Sequence, residues 1–391
     1  MLKFSINAKE LNDVVRKVSA AIDKKAYVKQ LRTIFFLVED RTLKVIGTNM
    51  EQWLEVRTDC IWDDQPGVIG IEHDDMKMIL KMSGVLSFED VSMETEKMVS
   101  VKCGKRELTV QAAECTDYFV PTMDNTEAKV LETSESWLYD TVSRLATFVS
   151  YKEQGNKMMN CINFNTESER VTALDGHRIG MRQIKNQNIY TLQQNVNLNA
   201  IYATPTLKVV LDKKSEIKKV VMSVDGKWIK FSGMDFTYII RNVEGMYFDV
   251  DKLISNKDDY SFTADREKLL ETIKYSADLI GKELIPFAFH EANGKLYSYT
   301  LVQKYEALEE VDVRNLKMSE NFYIGFNPHY WADALSMADA DEVKVNGGNA
   351  KEPVMIYGNE YSFFVLPVHI GCADNGASIL TRMNKKFENV A

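Results

Sequence analysis

Hydrophobic and polar positions repeat along the chain with a period of about 130 residues. In each repeat, a short run of alternating apolar and polar residues leads through a polar position into apolar residues at helical spacing. The three segments are FSINAKELNDVVRKVSAAI from Phe4, LETSESWLYDTVSRLATFV from Leu131 and YSFTADREKLLETIKYSADLI from Tyr260. Each segment predicts a strand followed by an amphipathic helix.

The polar position before each helix predicts an N-cap, because its side-chain oxygen can accept a hydrogen bond from the first turn. The candidates are Asn7, Ser134, and either Thr263 or Asp265. The apolar residues that we expect on the buried helix faces are Leu11, Val14, Val15 and Val18, then Leu138, Val142, Leu145 and Phe148, then Leu269, Leu270 and Ile273.

Each repeat also predicts a second helix and a closing pair of strands. The second helices are expected at Asp75–Met82, Pro205–Leu211 and Pro328–Met337. The strand pairs are VSVKCGKRELTVQA, WIKFSGMDFTYIIRNV and PVMIYGNEYSFFVLPV, whose turns hold Gly104, Gly233 and Gly358 and are expected to have positive φ there. The pattern therefore predicts an α+β fold of three similar domains, each with two helices packed on β-sheets, at 1–125, 128–255 and 257–391.

Composition excludes several classes of protein. The 391 residues carry a net charge of −9, which argues against a surface that grips DNA by dense Lys and Arg contacts to phosphate. The five cysteines are scattered without a C-x-x-C pair, which favours reduced thiols in a cytoplasmic protein. We expect neither a signal peptide nor a membrane span, because the first residues and the rest of the chain lack the apolar stretches that these require.

Motifs of catalysis are also missing from the sequence. It contains no phosphate-binding loop, dinucleotide fingerprint, H-E-x-x-H or G-x-S-x-G motif. The five histidines show no metal-ligand spacing. We therefore predict a non-catalytic protein with no metal or cofactor; an enzyme with an unrecognised site and a three-module structural scaffold are the alternatives.

Three further segments carry a resemblance to a known family. The run VTALDGHRIGMRQI at Val171–Ile184 contains an Asp-Gly-His-Arg turn, RNVEGMYFDVDKLI follows at Arg241–Ile254, and Phe364–Val368 forms an apolar-Pro-apolar end. Together with the opening strand and helix, they make nearly the whole chain resemble the bacterial sliding clamp, the beta subunit of DNA polymerase III.

The resemblance implies a ring that two three-domain subunits form head to tail, with helices lining a hole for double-stranded DNA. Such a ring holds DNA by topology, which reconciles DNA binding with an acidic chain. The residues expected to face DNA are Lys17, Lys25, Lys77, Lys81, Arg144, Lys152, Lys208, Lys213 and Lys274. Apart from Lys25 and Lys152, they are predicted on helices, where a solvated face with no partner is the alternative.

The resemblance also implies a groove that binds apolar-tailed peptides of the polymerase catalytic subunit, the clamp loader, and replication and repair clients. Carried over by position, its residues are Met159, Leu174, Gly176, His177, Arg178, Ile179, Phe248, Leu253, Phe364, Leu366, Pro367 and Val368. The alternative is an ordinary hairpin and a core strand.

The resemblance places the seam of the homodimer at Leu108 and Val110 of one subunit and at Leu279 and Ile280 of the other. We expect exposed apolar side chains there, although Ile280 could equally belong to its own core. The chain departs from the family at Phe248, where proline is common, and in a C-terminal extension from about residue 371. A diverged clamp with few clients is therefore a further alternative.

Overall fold

The computed structural model describes residues 2–39, 41–63, 65–94, 96–113, 120–123, 127–152, 155–190, 196–254, 258–283, 286–319, 322–368, 370, 381–383 and 385–386. They form two compact units, the first comprising Met1–Ser143 and Asn186–Gly245, the second Arg144–Lys185 and Met246–Ala391. The predicted three-domain boundaries stay a prediction, and the positions proposed around 125 and 257 lie outside the described residues.

The α-helices in the described part of the chain are α1 (Ala8–Val18), α2 (His73–Ile79), α3 (Glu135–Leu145), α4 (Ala200–Val210), α5 (Arg266–Ile280) and α6 (Pro328–Met337). Short 3-10 helices occur at Lys29–Arg32, Ala146–Phe148, Lys157–Asn160 and Val250–Lys252.

The strands up to residue 134 are β1 (Lys3–Asn7), β2 (Thr33–Glu39), β3 (Thr42–Thr48), β4 (Gln52–Asp59), β5 (Ile61–Trp62), β6 (Gly67–Glu72), β7 (Val85–Asp90), β8 (Met98–Cys103), β9 (Arg106–Ala113) and β10 (Ala128–Ser134). Those up to residue 241 are β11 (Cys161–Asn165), β12 (Arg170–Leu174), β13 (Arg178–Gln183), β14 (Asn188–Ile189), β15 (Val196–Asn199), β16 (Lys218–Val224), β17 (Trp228–Ser232) and β18 (Phe236–Arg241). The remaining strands are β19 (Tyr260–Asp265), β20 (Phe287–Ala292), β21 (Lys295–Leu301), β22 (Glu306–Val311), β23 (Val313–Lys317), β24 (Tyr323–Phe326), β25 (Glu342–Gly347), β26 (Val354–Tyr357) and β27 (Tyr361–Val365).

The first unit is built on a 14-stranded sheet in the order β14-β10-β16-β17-β18-β4-β3-β2-β6-β9-β8-β7-β1-β5. Helix α1 packs on it through Leu11, Val14, Val15 and Val18, all of them buried as predicted. Helix α1 also contacts α4. The helix-on-sheet arrangement confirms the α+β prediction.

Among the described residues, the second unit supplies eight neighbouring strands of one sheet, in the order β11-β12-β13-β27-β26-β25-β19-β23. It also supplies a four-stranded sheet in the order β22-β21-β20-β24. Helices α5 and α6 pack on each other. Trp331 of α6 is fully buried against Phe287, Phe289 and Phe326 of the second sheet, with its ring centroid 5.0 Å from that of Phe289. An aromatic core of this kind contributes large apolar area and edge-to-face contacts.

The predicted N-caps are confirmed. The side chain of Asn7 accepts from the Lys9 N–H at 2.9 Å, and the Ser134 hydroxyl accepts from the Trp137 N–H at 3.2 Å. Of the two candidates before α5, Asp265 is the cap, because its carboxylate accepts from the Lys268 N–H at 2.9 Å.

The predicted helix faces and bounds need four corrections. Leu270 is only half-buried, since the buried face of α5 runs through Leu269 and Ile273. Phe148 belongs to the 3-10 helix after α3. Helix α2 is His73–Ile79, which is earlier than predicted. Helix α4 begins at Ala200 because Asn199 caps it, so that Pro205 lies inside the helix and does not start it.

Two of the three turn glycines serve a purpose that differs from the prediction. Gly104 has a φ of 58°, as expected. Gly233 and Gly358 do not have positive φ. Glycine is required at both positions because neighbouring atoms occupy the space that a Cβ would take. A Cβ on Gly233 would lie 2.2 Å from the Phe236 ring, and one on Gly358 would lie 2.4 Å from the Asp339 carboxylate.

Candidate functional site

An apolar row crosses four neighbouring strands of the second unit. Leu174 of β12 lies opposite Ile179 of β13, Ile179 opposite Phe364 of β27, and Phe364 opposite Met355 of β26. Directly opposed side chains on one sheet face pack together. Each of the four is at most 5% exposed. The row therefore forms the apolar floor of the site.

The segment that follows Gly245 covers this floor. Val250, in the 3-10 helix, is 4% exposed and packs in the same cluster as the floor residues. Tyr247, Phe248 and Ile254 are partly buried against it. The Tyr247 hydroxyl donates to the Cys161 carbonyl oxygen at 3.4 Å, and burial raises the pKa of this tyrosine above its ordinary value. Phe248 thus supplies an aromatic wall.

The turn between β12 and β13 forms one rim. The Asp175 carboxylate accepts from the N–H groups of His177 and Arg178, at 2.9 and 3.1 Å. This Asx-type turn depends on Gly176, whose φ of 90° is accessible mainly to glycine. The ideal Cβ of residue 176 would lie 3.5 Å from the methyl group of Met159, so the rim reaches the apolar cluster.

Arg178 locks this rim to helix α6. Its guanidinium pairs with Asp333, donates to Asp175 at 2.9 Å, and donates to the Thr147 carbonyl oxygen at 3.0 Å. It also lies 4.7 Å from the ring centroid of Tyr330. Burial opposes the charge, but the hydrogen bonds and ion pairs with Asp333 and Asp175 outweigh it and raise the pKa of Arg178. Its donors are therefore engaged within the protein.

The second rim consists of Leu366, Pro367 and Val368, which follow the end of β27. All three are half-buried. The Leu366 N–H donates to the His177 carbonyl oxygen at 3.0 Å, and the Val368 N–H donates to the Gly325 carbonyl oxygen at 2.8 Å. The two rims are thus hydrogen-bonded to each other beside the apolar floor.

The predicted groove residues converge on this site with one exception. Six belong to its apolar cluster, namely Met159, Leu174, Ile179, Phe248, Phe364 and Leu366. Gly176, His177, Arg178, Pro367 and Val368 form the rims. Leu253 is 47% exposed and is not part of the cluster, because the 3-10 helix points Val250 inward in its place.

Sequence reasoning missed several contributors. Tyr330 and Asp333 hold Arg178. The residues that complete the cluster are Met181, Tyr247, Val250, Ile254, Met355 and Tyr357. The alternation of β26 could have found Met355, because this strand was predicted beside β27. Nothing in the sequence links Asp333 to Arg178, since 155 residues separate them.

Substituting Gly176 by alanine is expected to lower the free energy of unfolding by on the order of 1–3 kcal/mol, because an L residue is strained at this φ. Urea unfolding measures the change. Gly155→Ala is the matched control, since Gly155 lies outside the positive-φ region. Equal stability of the two variants would contradict the strained turn.

The residues expected to face DNA have different surroundings. Lys25, Lys81, Lys152, Lys208, Lys213 and Lys274 are exposed and make no ion pair with another described residue, whereas Lys17 pairs with Asp13 and Asp235 and Lys77 pairs with Asp74. Lys81 and Lys213 lie beyond the ends of α2 and α4, so their placement on helices was wrong.

Arg144 and Lys274 differ most from the expectation. The Arg144 guanidinium donates to the Met337 carbonyl oxygen at 2.7 Å and lies 5.3 Å from the Tyr361 ring centroid. Lys274 lines an open cleft of about 660 Å³ beside α5, together with Glu267, Glu271, Asp278 and Glu309. Contact of these basic residues with DNA stays a prediction.

The expected exposure at the dimer seam is wrong for Val110, which is 8% exposed and packs in its own core. Ile280 is 3% exposed, which agrees with the alternative that it belongs to its own core. Leu108 and Leu279 are half-buried. The seam itself stays a prediction.

No group of three or more His, Cys, Asp or Glu side chains within the described ranges could hold a metal ion. Cys60, Cys103 and Cys161 are free thiols, while Cys115 and Cys372 lie outside these ranges. Among the described helices, none is long and apolar enough to cross a membrane.

Comparisons with known proteins agree on one family. Residues 2–124 match the model of the DNA polymerase III beta subunit, N-terminal domain. The Beta sliding clamp of Pseudomonas aeruginosa is 21% identical, covering 94% of this chain and 100% of that protein. The Beta sliding clamp of Bacillus subtilis is 20% identical, covering 91% of this chain and 95% of that protein.

Solved structures show the same fold. The DNA polymerase sliding clamp from Bacillus subtilis has a TM-score of 0.83 at 18% identity, covering 94% of this chain and 99% of that one. The DNA polymerase III beta chain from Streptococcus pneumoniae has a TM-score of 0.82 at 18% identity, covering 94% of this chain and 100% of that one. These matches confirm the resemblance found in the sequence: the chain is similar to the bacterial beta sliding clamps over most of its length and has their fold.

Proposed function

We propose that this protein is a sliding clamp that encircles double-stranded DNA as a head-to-tail homodimer and tethers a DNA polymerase to it. The observation that carries the proposal is the clamp fold, which extends over 94% of the chain. In this role the protein is a non-catalytic processivity factor of the cytoplasm. It needs no metal or cofactor, because it performs no chemical step.

The charge of the chain fits a ring better than a DNA-binding surface. A net charge of −9 disfavours a tight grip on phosphates. Some exposed lysines, such as Lys25, Lys208 and Lys213, have no ion partner among the described residues and can still make weak contacts that permit sliding. Retention on DNA then depends on closure of the ring.

Two strand edges support dimerisation. Strand β9 pairs with β8 along one edge. Along its other edge it pairs with β6 only at Ala112 and Ala113, so Arg106–Val110 have no strand partner on that side within the described residues. Strand β22 likewise pairs on one side only, with β21. The β22 edge carries Glu306, Glu309 and Glu310, whereas β9 begins at a basic residue. A β9 edge of one subunit and a β22 edge of the other would be complementary in hydrogen bonding, and Arg106 of β9 could pair with a glutamate of β22.

The groove is proposed to receive clients. Its apolar floor offers buried area at roughly 25 cal/mol per Å², and its rims offer a few polar groups that fix orientation. A polymerase catalytic subunit, a clamp loader and repair proteins would share it through apolar-tailed peptides. A clamp that serves few clients would bind a small part of a client-peptide panel.

Leu108→Glu is expected to shift the protein from dimer to monomer, because it adds a negative charge to the β9 edge that would face the acidic β22 edge. Light scattering at micromolar concentration measures the mass. Ile61→Glu is the matched control, since Ile61 is 70% exposed on β5 at the far edge of the same sheet. A Leu108→Glu variant that stays dimeric would contradict this seam.

Retention on DNA tests the proposed function. The protein is loaded onto a nicked circular plasmid with a bacterial clamp loader and ATP, and the complex is isolated by gel filtration. We expect it to survive a rise in salt from about 50 to about 200 mM and to fall apart when the plasmid is linearised, because binding is topological. Binding that is lost with salt but is indifferent to linearisation would indicate an ordinary DNA-binding protein.

A further inference from the structure

The sheet β22-β21-β20-β24 has apolar residues on both faces. One face packs on Trp331 through Phe287 and Phe289. The other face presents Ala288, Ala292 and Tyr299, which are 1%, 5% and 0% exposed. A strand that is buried on both faces requires a cover on each side.

The second cover comes from the end of the chain. Met383 is 0% exposed and packs in one cluster with Ala288, Tyr299, Leu301 and Ile370. Tyr297 and Leu308 are partly buried against it. Lys386 extends the contact, with its Nζ 3.5 Å from the Glu306 carboxylate, which itself accepts from the Tyr299 hydroxyl at 2.9 Å. The C-terminal residues are thus anchored on this sheet.

Ile370 connects the anchor to the groove. It packs on Gly325 so closely that a Cβ there would lie 2.4 Å from an Ile370 side-chain carbon. Val368, two residues earlier, forms a β-bridge with the same Gly325, in which the Val368 N–H donates to the Gly325 carbonyl oxygen at 2.8 Å. Val368 and Leu366 form one rim of the groove, and Ile370, two residues after Val368, belongs to the Met383 cluster.

We propose that the described C-terminal residues 381–383 and 385–386, anchored by Met383, act as a positioning segment that holds the Leu366–Val368 rim in place for client peptides. The anchoring is inferred from the contacts of Ile370, Met383 and Lys386, whereas its effect on peptide binding rests on the proposed function. Without the anchor, Ile370 loses its cover and the Val368–Gly325 bridge loses its support. The rim then samples open conformations, and a peptide must bear the free-energy cost of ordering it.

The test uses the full-length protein and two substitutions at one position. Met383→Lys places a charge in the apolar cluster and is expected to detach the segment, whereas Met383→Leu keeps the apolar volume. Met234→Lys is a surface control, because Met234 is 67% exposed. A chain ending at Ile370 removes the segment altogether; if it fails to fold, the Met383 pair carries the test.

Amide hydrogen exchange of Leu366 and Val368 is the first readout, with β12 amides as the internal reference. We expect at least about tenfold faster exchange in Met383→Lys and in the truncated chain, and unchanged exchange in Met383→Leu and Met234→Lys. The second readout is the affinity for a fluorescein-labelled decapeptide with a polar head and a Leu-Phe tail. We expect this affinity to fall about tenfold in the two detached forms.

The outcomes separate the two proposals. Unchanged exchange at Leu366 and Val368 in Met383→Lys would overturn the anchoring. Faster exchange with unchanged peptide affinity would overturn its role in binding. If the wild-type protein does not bind the peptide while Met383→Lys still accelerates exchange, the anchoring stands and the proposed groove fails.

Discussion

Replacing Leu366 and Val368 together by lysine is expected to lower client-peptide affinity at least about a hundredfold while leaving the dimer intact. Both residues lie on the rim beside the apolar floor, and Leu366 packs in its cluster. Each apolar anchor lost from such a contact is worth about 1.5–3 kcal/mol, and a lysine facing the peptide's apolar tail adds a desolvation cost. A hundredfold change corresponds to about 2.8 kcal/mol, so the two anchors suffice.

Fluorescence anisotropy with the labelled decapeptide measures this affinity, and light scattering measures the dimer. A variant with lysine at Met93 and Met234 is the matched control, because these residues are 75% and 67% exposed and the added charge is the same. Unchanged affinity in the Leu366/Val368 variant would show that clients bind elsewhere. Loss of the dimer in that variant alone would place the rim in the seam.

Arg178→Ala is expected to lower the free energy of unfolding by about 3 kcal/mol. The Arg178 side chain is 11% exposed and its partner Asp175 is 14% exposed, so removal of the guanidinium leaves a poorly solvated carboxylate without its cation. Breaking one side of a buried ion pair costs about 3–5 kcal/mol. The lower end applies because Asp333, at 42% exposed, can turn to water.

Urea unfolding followed by circular dichroism measures the loss. Arg178→Lys keeps the charge but cannot bridge Asp175, Asp333 and the Thr147 carbonyl together, so we expect an intermediate stability. Lys268→Ala is the control: it breaks the Lys268–Asp312 pair, whose side chains are 67% and 77% exposed, and should change stability by less than about 0.5 kcal/mol. An Arg178→Ala variant as stable as this control would contradict the locked rim.

The elements predicted best from the sequence are those with strong local signals. Helix α6 begins at Pro328, as predicted, because proline suits a first helical turn and Asn327 caps it. Helix α4 was misplaced for the same reason, since Pro205 looked like a first residue but lies within the helix. The apolar spacing of α1 identified its whole buried face.

The site was predictable only in part, because its geometry depends on pairings between distant segments. The resemblance supplied the two rims and half of the apolar cluster. Met355 enters through its register with Phe364, and Asp333 through the packing of α6 beside the turn of Arg178. The covering role of Met383 had no sequence signal beyond its being apolar, since it depends on a sheet that is apolar on both faces.

Small-angle X-ray scattering, with mass from light scattering on the same sample, distinguishes a ring from a compact particle. For a ring-shaped homodimer we expect a particle of twice the chain mass of 44.8 kDa, about 90 kDa, with a distance distribution that requires a central hole. A compact particle of about 45 kDa, or a dimer whose scattering fits a solid body, would contradict the ring and with it the proposed function.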